Sequence, residues 1–210
     1  MNSMTKLLIG VAAVFASSWV GVVAYSYTNF GELQPEISEE TGGFLPPPLP
    51  GNAIAGQRVY AANGCVYCHS QQVRPAPMYS DIARGYGTRQ TVPRDYMRYA
   101  NPFTGMVRTG PDLTNVGARQ TDVAWYYRHL YEPNIVTPGS VMPAYRFLFE
   151  ERKIQGEKSE LAVEVGGPHP PKEGFEIVPK PEAQILVSYL MSLKRDYPLE
   201  EAPAPPEGGQ

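Results

Sequence analysis

The two cysteines of this chain are Cys65 and Cys68, and His69 directly follows the second, in the run Cys65-Val66-Tyr67-Cys68-His69. Two thiols separated by two residues can reach the two vinyl groups on one edge of a porphyrin and add to them as thioethers. The next residue, a histidine, is then held beneath the iron as an axial ligand. This is the chemistry of covalent c-type haem attachment. Two other uses of such a pair compete with it. A zinc centre wants about four ligands, and the chain has no third cysteine and only His129 and His169 beyond the run. A thioredoxin-like dithiol wants a βαβ context, which the surrounding pattern lacks. A disulfide framework needs more cysteines, set further apart.

Iron in a haem has a second axial position. A methionine thioether there raises the potential relative to a second histidine and is the usual partner in electron-transfer cytochromes c. The methionines after the motif are Met78, Met97, Met106, Met142 and Met191. Met191 falls in the last helical run, where packing is the ordinary role of methionine. Met78, Met97 and Met106 lie in an irregular stretch and suit gap filling. Met142 stands in Val141-Met142-Pro143-Ala144-Tyr145, downstream of a middle helix and held by a following proline, and is taken as the sixth ligand.

Thr109-Gly110-Pro111-Asp112-Leu113 resembles the Gly-Pro-x-Leu segment of small cytochromes c. There the proline carbonyl accepts a hydrogen bond from the axial histidine and the leucine covers the haem face, fixing the imidazole tautomer. The plainer reading of Gly-Pro is a turn. Arg74, Arg108 and Arg119 are candidates for pairing with haem propionates, since guanidinium binds carboxylate bidentately. The alternative for each is a surface or interface charge. His129 reads as a structural or exposed histidine, and His169, in a Gly-Gly-Pro-His-Pro-Pro loop, as a solvated one.

These groups must be positioned by the rest of the chain. Leu7 to Gly31 contains no charged residue and is mostly apolar to Tyr27. A helix needs about 20 such residues to cross a bilayer core, so residues 1–31 are expected to be a transmembrane anchor. A cleaved signal peptide, with Val14-Phe15-Ala16 as a weak site, is the competing reading. The apolar run is longer than a signal peptide needs. Lys6 precedes the segment and Glu32, Glu36, Glu39 and Glu40 follow it, so the positive-inside rule puts the remainder outside the cytoplasm. Gly10, Ala13, Ser17, Gly21 and Ala24 share one helical face, as a close membrane helix contact would want, or as composition alone would give.

Residues 32–51 read as a Pro-rich linker, stiff and extended over Phe44–Pro50. The haem domain is expected over 52–197. It holds a helix from about Asn52 to Asn63 stopped by Gly64, an irregular excursion over 70–109, and a helix begun at Thr121-Asp122 and ended by Pro133. An inserted charged segment follows over 150–180, with a small hairpin read from the alternation in 161–165 and 175–178. A last helix runs from Pro181 to about Lys194. The tail, 198–210, is acidic, Pro-rich and expected to be disordered. The fold class is therefore mainly α: one N-terminal transmembrane helix and a cytochrome c-like helical haem domain with long irregular insertions.

The series CVYCHSQQVRP at Cys65–Pro75, RTGPDL at Arg108–Leu113, VGAR at Val116–Arg119, then His129-Leu130-Tyr131-Glu132-Pro133 and Val141-Met142-Pro143-Ala144-Tyr145, resembles the monohaem cytochrome c subunit (subunit II) of cbb3-type haem–copper oxidases. The resemblance covers about residues 5–149; the stretch 150–180 and the tail have no counterpart in it, and Tyr79–Phe103 only a scattered one. It implies one covalent haem c bound by Cys65 and Cys68, with iron ligated by His69 and Met142. It also implies a place in the cell inner membrane beside the catalytic oxidase subunit and other respiratory-complex subunits. A donor cytochrome or cupredoxin would supply the electrons.

The small subunit of nitric oxide reductases, another anchored monohaem cytochrome, is the nearest alternative. A haem enzyme or gas sensor with an open sixth position is an alternative of another class, and a mainly structural assembly subunit a third. The chain has no copper-binding Cys–His cluster and no histidine-bearing set of membrane helices, so oxygen reduction by this chain alone is not expected. All 21 acidic residues and all but one of the 18 basic residues follow the anchor. That mildly acidic balance argues against nucleic acid as a partner.

Overall fold

The computed structural model describes residues 2–31, 33–105 and 107–203. Helix α1, Ser3–Phe30, is long and apolar enough to cross a membrane and none of its hydrophobic window is buried against the chain. Asn2 caps it, its side chain accepting from Thr5 N at 2.8 Å. The helix has a π-type turn over Val20–Ala24. α2 spans Gly51–Ala62, α3 is a short helix over Val116–Arg119, α4 spans Val123–Tyr131 and α5 spans Pro181–Ser192. α2, α4 and α5 lie within about two residues of the expected positions, whereas α3 was not expected. The signals behind them are visible locally. The Asp122 side chain accepts from Ala124 N at 2.9 Å, Pro181 opens α5 where its missing N–H costs nothing, and Gly64 ends the α2 segment at φ +70°.

The core is the crossing of α2 over α5. Ala53, Tyr60, Ala183, Leu186 and Tyr189 are essentially fully buried there. The Tyr60 and Tyr189 rings meet edge to face at 5.5 Å. The close approach depends on Gly56: a Cβ there would overlap the Ile185 carbonyl and stand 2.8 Å from Tyr189 Cβ. α3 joins the same core through Gly117 N, which donates to Leu193 O at 3.0 Å. Gly56, Tyr60 and Tyr189 thus make the crossing of the two helices.

The excursion over 70–109 is irregular, with one 3-10 turn at Pro93–Tyr96, and it is ordered by buried ion pairs. Arg89 and Asp95, both essentially solvent-free, pair at 2.8 Å. Arg74 and Arg108 both reach Asp81, itself 1 % exposed. The buried Arg195 guanidinium lies against the Tyr96 and Tyr99 rings, at 5.2 and 4.8 Å.

Three segments differ from the sequence reading. The linker does not run out as a free spacer: strands β1 (Glu36–Ile37) and β2 (Phe44–Leu45) pair antiparallel. Leu45 packs with Val92 and Leu199, and the Pro46 carbonyl accepts from Arg98 Nε at 2.7 Å. The hairpin of the inserted segment uses β4 (Phe175–Pro179) as expected, but its partner is β3, Phe149–Lys153. The charged sequence FEERK hides a strand whose outer residues face water. The stretch 161–165 only touches β4, through Val163 N to Ile177 O at 2.8 Å.

In the third segment, the first residues of the tail are packed: Leu199 and Ala202 are buried, and Arg94 holds Glu201 and Glu36 together, at 2.8 and 2.9 Å. Apolar anchors and this ion pair outweigh the Pro-rich composition. Residues 204–210 of the expected disordered tail lie outside the described residues.

Gly56→Ala is expected to lower stability by about 1–3 kcal/mol, because the new methyl has no space at the crossing. Gly166→Ala, where a Cβ meets nothing within 4 Å, should stay within about 0.5 kcal/mol of the native protein. Denaturant unfolding of both variants checks the contrast.

Candidate functional site

Cys65-Val66-Tyr67 form a 3-10 turn directly after α2. Cys68 N and His69 N both donate to Cys65 O, at 3.1 and 2.9 Å. The turn brings Cys65 and His69 to one cavity of about 250 Å³, which Met142, Pro111, Leu113 and Arg119 also line. Its other walls are mostly apolar residues of α2, α4 and α5. Cys68 sits half-buried on the same turn but is not among the lining residues, and neither cysteine forms a disulfide.

His69 is fixed from behind. Its Nδ1 lies 2.8 Å from Pro111 O; a carbonyl only accepts, so Nδ1 carries the proton and Nε2 is left with a free lone pair. Gly110 makes this approach possible, since a Cβ there would stand 2.7 Å from Nδ1 and overlap the ring. Gly110 N in turn donates to Cys68 O at 2.9 Å, and Leu113 N to Ser70 O at 2.9 Å. Burial lowers the His69 pKa, which the Pro111 bond only partly opposes; a neutral imidazole is the form that binds a metal. Burial pushes the Cys65 thiol up to about 11, so it stays uncharged in its apolar wall, as a thioether would.

Asp112 underlies the whole arrangement. Fully buried, it accepts from Ser70 Oγ at 2.7 Å, Gln72 N at 2.8 Å and Thr114 N at 2.8 Å. It thereby locks the segment after His69 to the segment around Pro111. Arg108 bridges Asp112, Asp81 and Ser70. Arg74 and Arg108, expected as carboxylate partners of a haem, are thus engaged with Asp81 and do not line the cavity. Arg119 does line it, one Nη donating to Asp112 O and the guanidinium lying 5.2 Å from the Tyr86 ring.

Met142 is half-buried in a loop stitched to the end of α4. Tyr145 N donates to Leu130 O at 2.8 Å, Met142 N to Ser140 Oγ at 3.2 Å, and Gly139 N to Asn134 Oδ1 at 3.0 Å. Met78 is exposed at 73 %, Met191 packs beside the core without lining this cavity, and Met106 lies outside the described residues.

Sequence reasoning missed several lining residues: Tyr60, Gln120, Trp125 and His129. His129, expected to be structural or exposed, is half-buried against the cavity, stacked on Trp125 at 4.6 Å and 12°. Burial, with a smaller contribution from His69, lowers its pKa to about 4. The spacing of Trp125 and His129, one helical turn apart on α4, was the available signal.

The donor set fits a haem on the structure's own terms. One imidazole has its Nδ1–H engaged and its Nε2 free, a thioether shares its cavity, and a pair of cysteines lies on the adjoining turn. Among the described residues there is no cluster of three or more His, Cys, Asp or Glu side chains that would hold a bare metal ion.

Asp81 gives a test of the frame. Burial alone would raise its pKa, but hydrogen bonds from Arg108 and Arg74 outweigh this and lower it to about 2, from an ordinary 3.8. Its contribution to stability is therefore full above about pH 4 and is lost as pH falls towards 2. Asp81→Asn should destabilise the protein at neutral pH and flatten its stability profile over that acid window. Unfolding followed as a function of pH checks this.

No individually curated protein matches the chain. The family model described as cytochrome c oxidase, mono-heme subunit/FixO matches residues 47–173, from just before α2 into the loop that precedes β4. It extends the similarity past residue 149, across most of the inserted segment that had no counterpart in the sequence reading. With more than half of the chain matched, including the Cys65–His69 run and the Met142 loop, the protein belongs to the FixO family of mono-haem cytochrome c oxidase subunits.

Proposed function

We propose that the chain is a membrane-anchored monohaem c-type cytochrome that passes electrons one at a time to the catalytic subunit of a cbb3-type terminal oxidase. The observation that supports this most directly is the shared cavity of Cys65, His69 and Met142, with the His69 ring fixed by Pro111. A bound haem supplies one-electron redox chemistry. Cys65 and Cys68 would hold it covalently, and His69 and Met142 would complete the iron's coordination. A thioether ligand and apolar walls both favour the reduced form and a high potential. Arg119 would meet a propionate at the cavity edge. Family membership supports an oxidase over a nitric oxide reductase, and Met142 in the cavity supports a carrier over an open-iron haem enzyme or sensor.

Helix α1 would anchor the chain in the cell inner membrane. With Lys6 on the cytoplasmic side, the haem domain would lie on the periplasmic side. There it would meet a donor cytochrome or cupredoxin and stand beside the membrane-embedded oxidase subunit.

Cys65→Ala combined with Cys68→Ala should abolish haem staining after denaturing electrophoresis; undiminished staining overturns covalent attachment. Met142→Ala should open the reduced haem to carbon monoxide, while Met78→Ala and Met97→Ala should leave it closed. Carbon monoxide binding by the native protein would instead support the open-iron reading. A reporter fused after Gln210 should be active only outside the cytoplasm.

A further inference from the structure

His129 occupies the haem cavity without a task. Its ring Nδ1 is buried and has no hydrogen-bond partner, and leaving such a polar atom unpaired is costly. The ring cannot easily turn away to solvent, because it is stacked on Trp125 at 4.6 Å and that indole is itself half-buried. His129 and Met142 line the same cavity. The bond from Tyr145 N to Leu130 O, 2.8 Å, joins the residue after His129 to the third residue after Met142. One stitch therefore sets the position of both.

The partner of such a nitrogen must suit a neutral imidazole in apolar surroundings. An ionised carboxylate is a poor candidate, because burying it without a cation is costly. The cation of this cavity, Arg119, is exposed at its edge. A thioether is uncharged, weakly accepting and carried by the loop to which the histidine is tied.

We propose that His129 is a positioning residue for the iron's methionine ligand, donating a ring N–H to Met142 Sδ in the haem-loaded protein. The proposal rests on the reading of Met142 as a ligand. Donation to the sulfur draws electron density from it and favours ferrous over ferric iron, in the manner of other groups behind a ligand. His129 would then raise the potential of the site and hold the sulfur in one orientation.

The experiment uses the full chain, loaded with haem in membranes and purified in detergent. His129→Phe keeps an aromatic ring on Trp125 and removes the donor, whereas His129→Gln keeps a donor without the ring. In each variant the midpoint potential and the ferric sulfur-to-iron charge-transfer band are measured. His129→Phe should lower the potential and displace or weaken the band, and His129→Gln should restore part of both. An unchanged potential and band in His129→Phe overturns the proposal. A lowered potential with an unmoved band also overturns it, and assigns the histidine to a haem carboxylate. If His129→Phe fails to accumulate, His129→Gln decides alone: near-native potential and band support a hydrogen-bond donor at this position, and a lowered potential with a lost band, covalent haem being retained, overturns it. Absence of the band in the native protein would instead be a failure of the Met142 assignment.

Discussion

A single hydrogen bond, from the His69 ring to the Pro111 carbonyl, joins the two halves of the site across more than forty residues of chain. Everything around it serves to keep that carbonyl in place. Gly110 is small so that the ring can come close. Asp112 is buried so that its carboxylate can collect Ser70, Gln72 and Thr114 into one frame. Arg108 balances the charge of Asp112 and is itself held by Asp81. A buried carboxylate with three hydrogen bonds and a cation is tolerable where an unpaired one is not. The placement of His69 therefore rests on polar groups that are each satisfied by another, with the apolar core supplying the walls.

The crossing of α2 and α5 is the second constraint, and it bears on the first. α2 ends at the turn that carries both cysteines, so its angle against α5 aims Cys65 and His69. The fit at Gly56 leaves little freedom in that angle. Tyr60 links the two systems, since its hydroxyl donates to His69 O at 3.3 Å while its ring packs on Tyr189 and Phe103.

The helices were legible because their signals are local: Asp122 as a cap, Pro181 at a first turn, Gly64 as a stop. The haem motif and the Gly-Pro-Asp-Leu segment were legible because their chemistry demands a fixed spacing. Arg74 and Arg108 were harder. A guanidinium near a haem motif suits a propionate and a buried aspartate equally well, and nothing local to the sequence shows that Asp81 folds in beneath them. His129 was missed for a related reason: whether a helical histidine faces water or a cavity depends on what packs against the helix. β3 was hidden because an edge strand with charged outer residues lacks the apolar alternation that marks a half-buried one.

The docked linker has a consequence for speed. Fully extended, residues 33–50 would span roughly 60 Å, enough to let a tethered domain wander far from its anchor. Instead, β1 and β2 fold the segment on itself, and Arg94 fastens Glu36 to Glu201 on the domain. Electron tunnelling falls steeply with separation, so a carrier on a loose leash would spend most of its time out of range. In the proposed role as an electron carrier, this short mount would narrow the search that a loose tether would have to make.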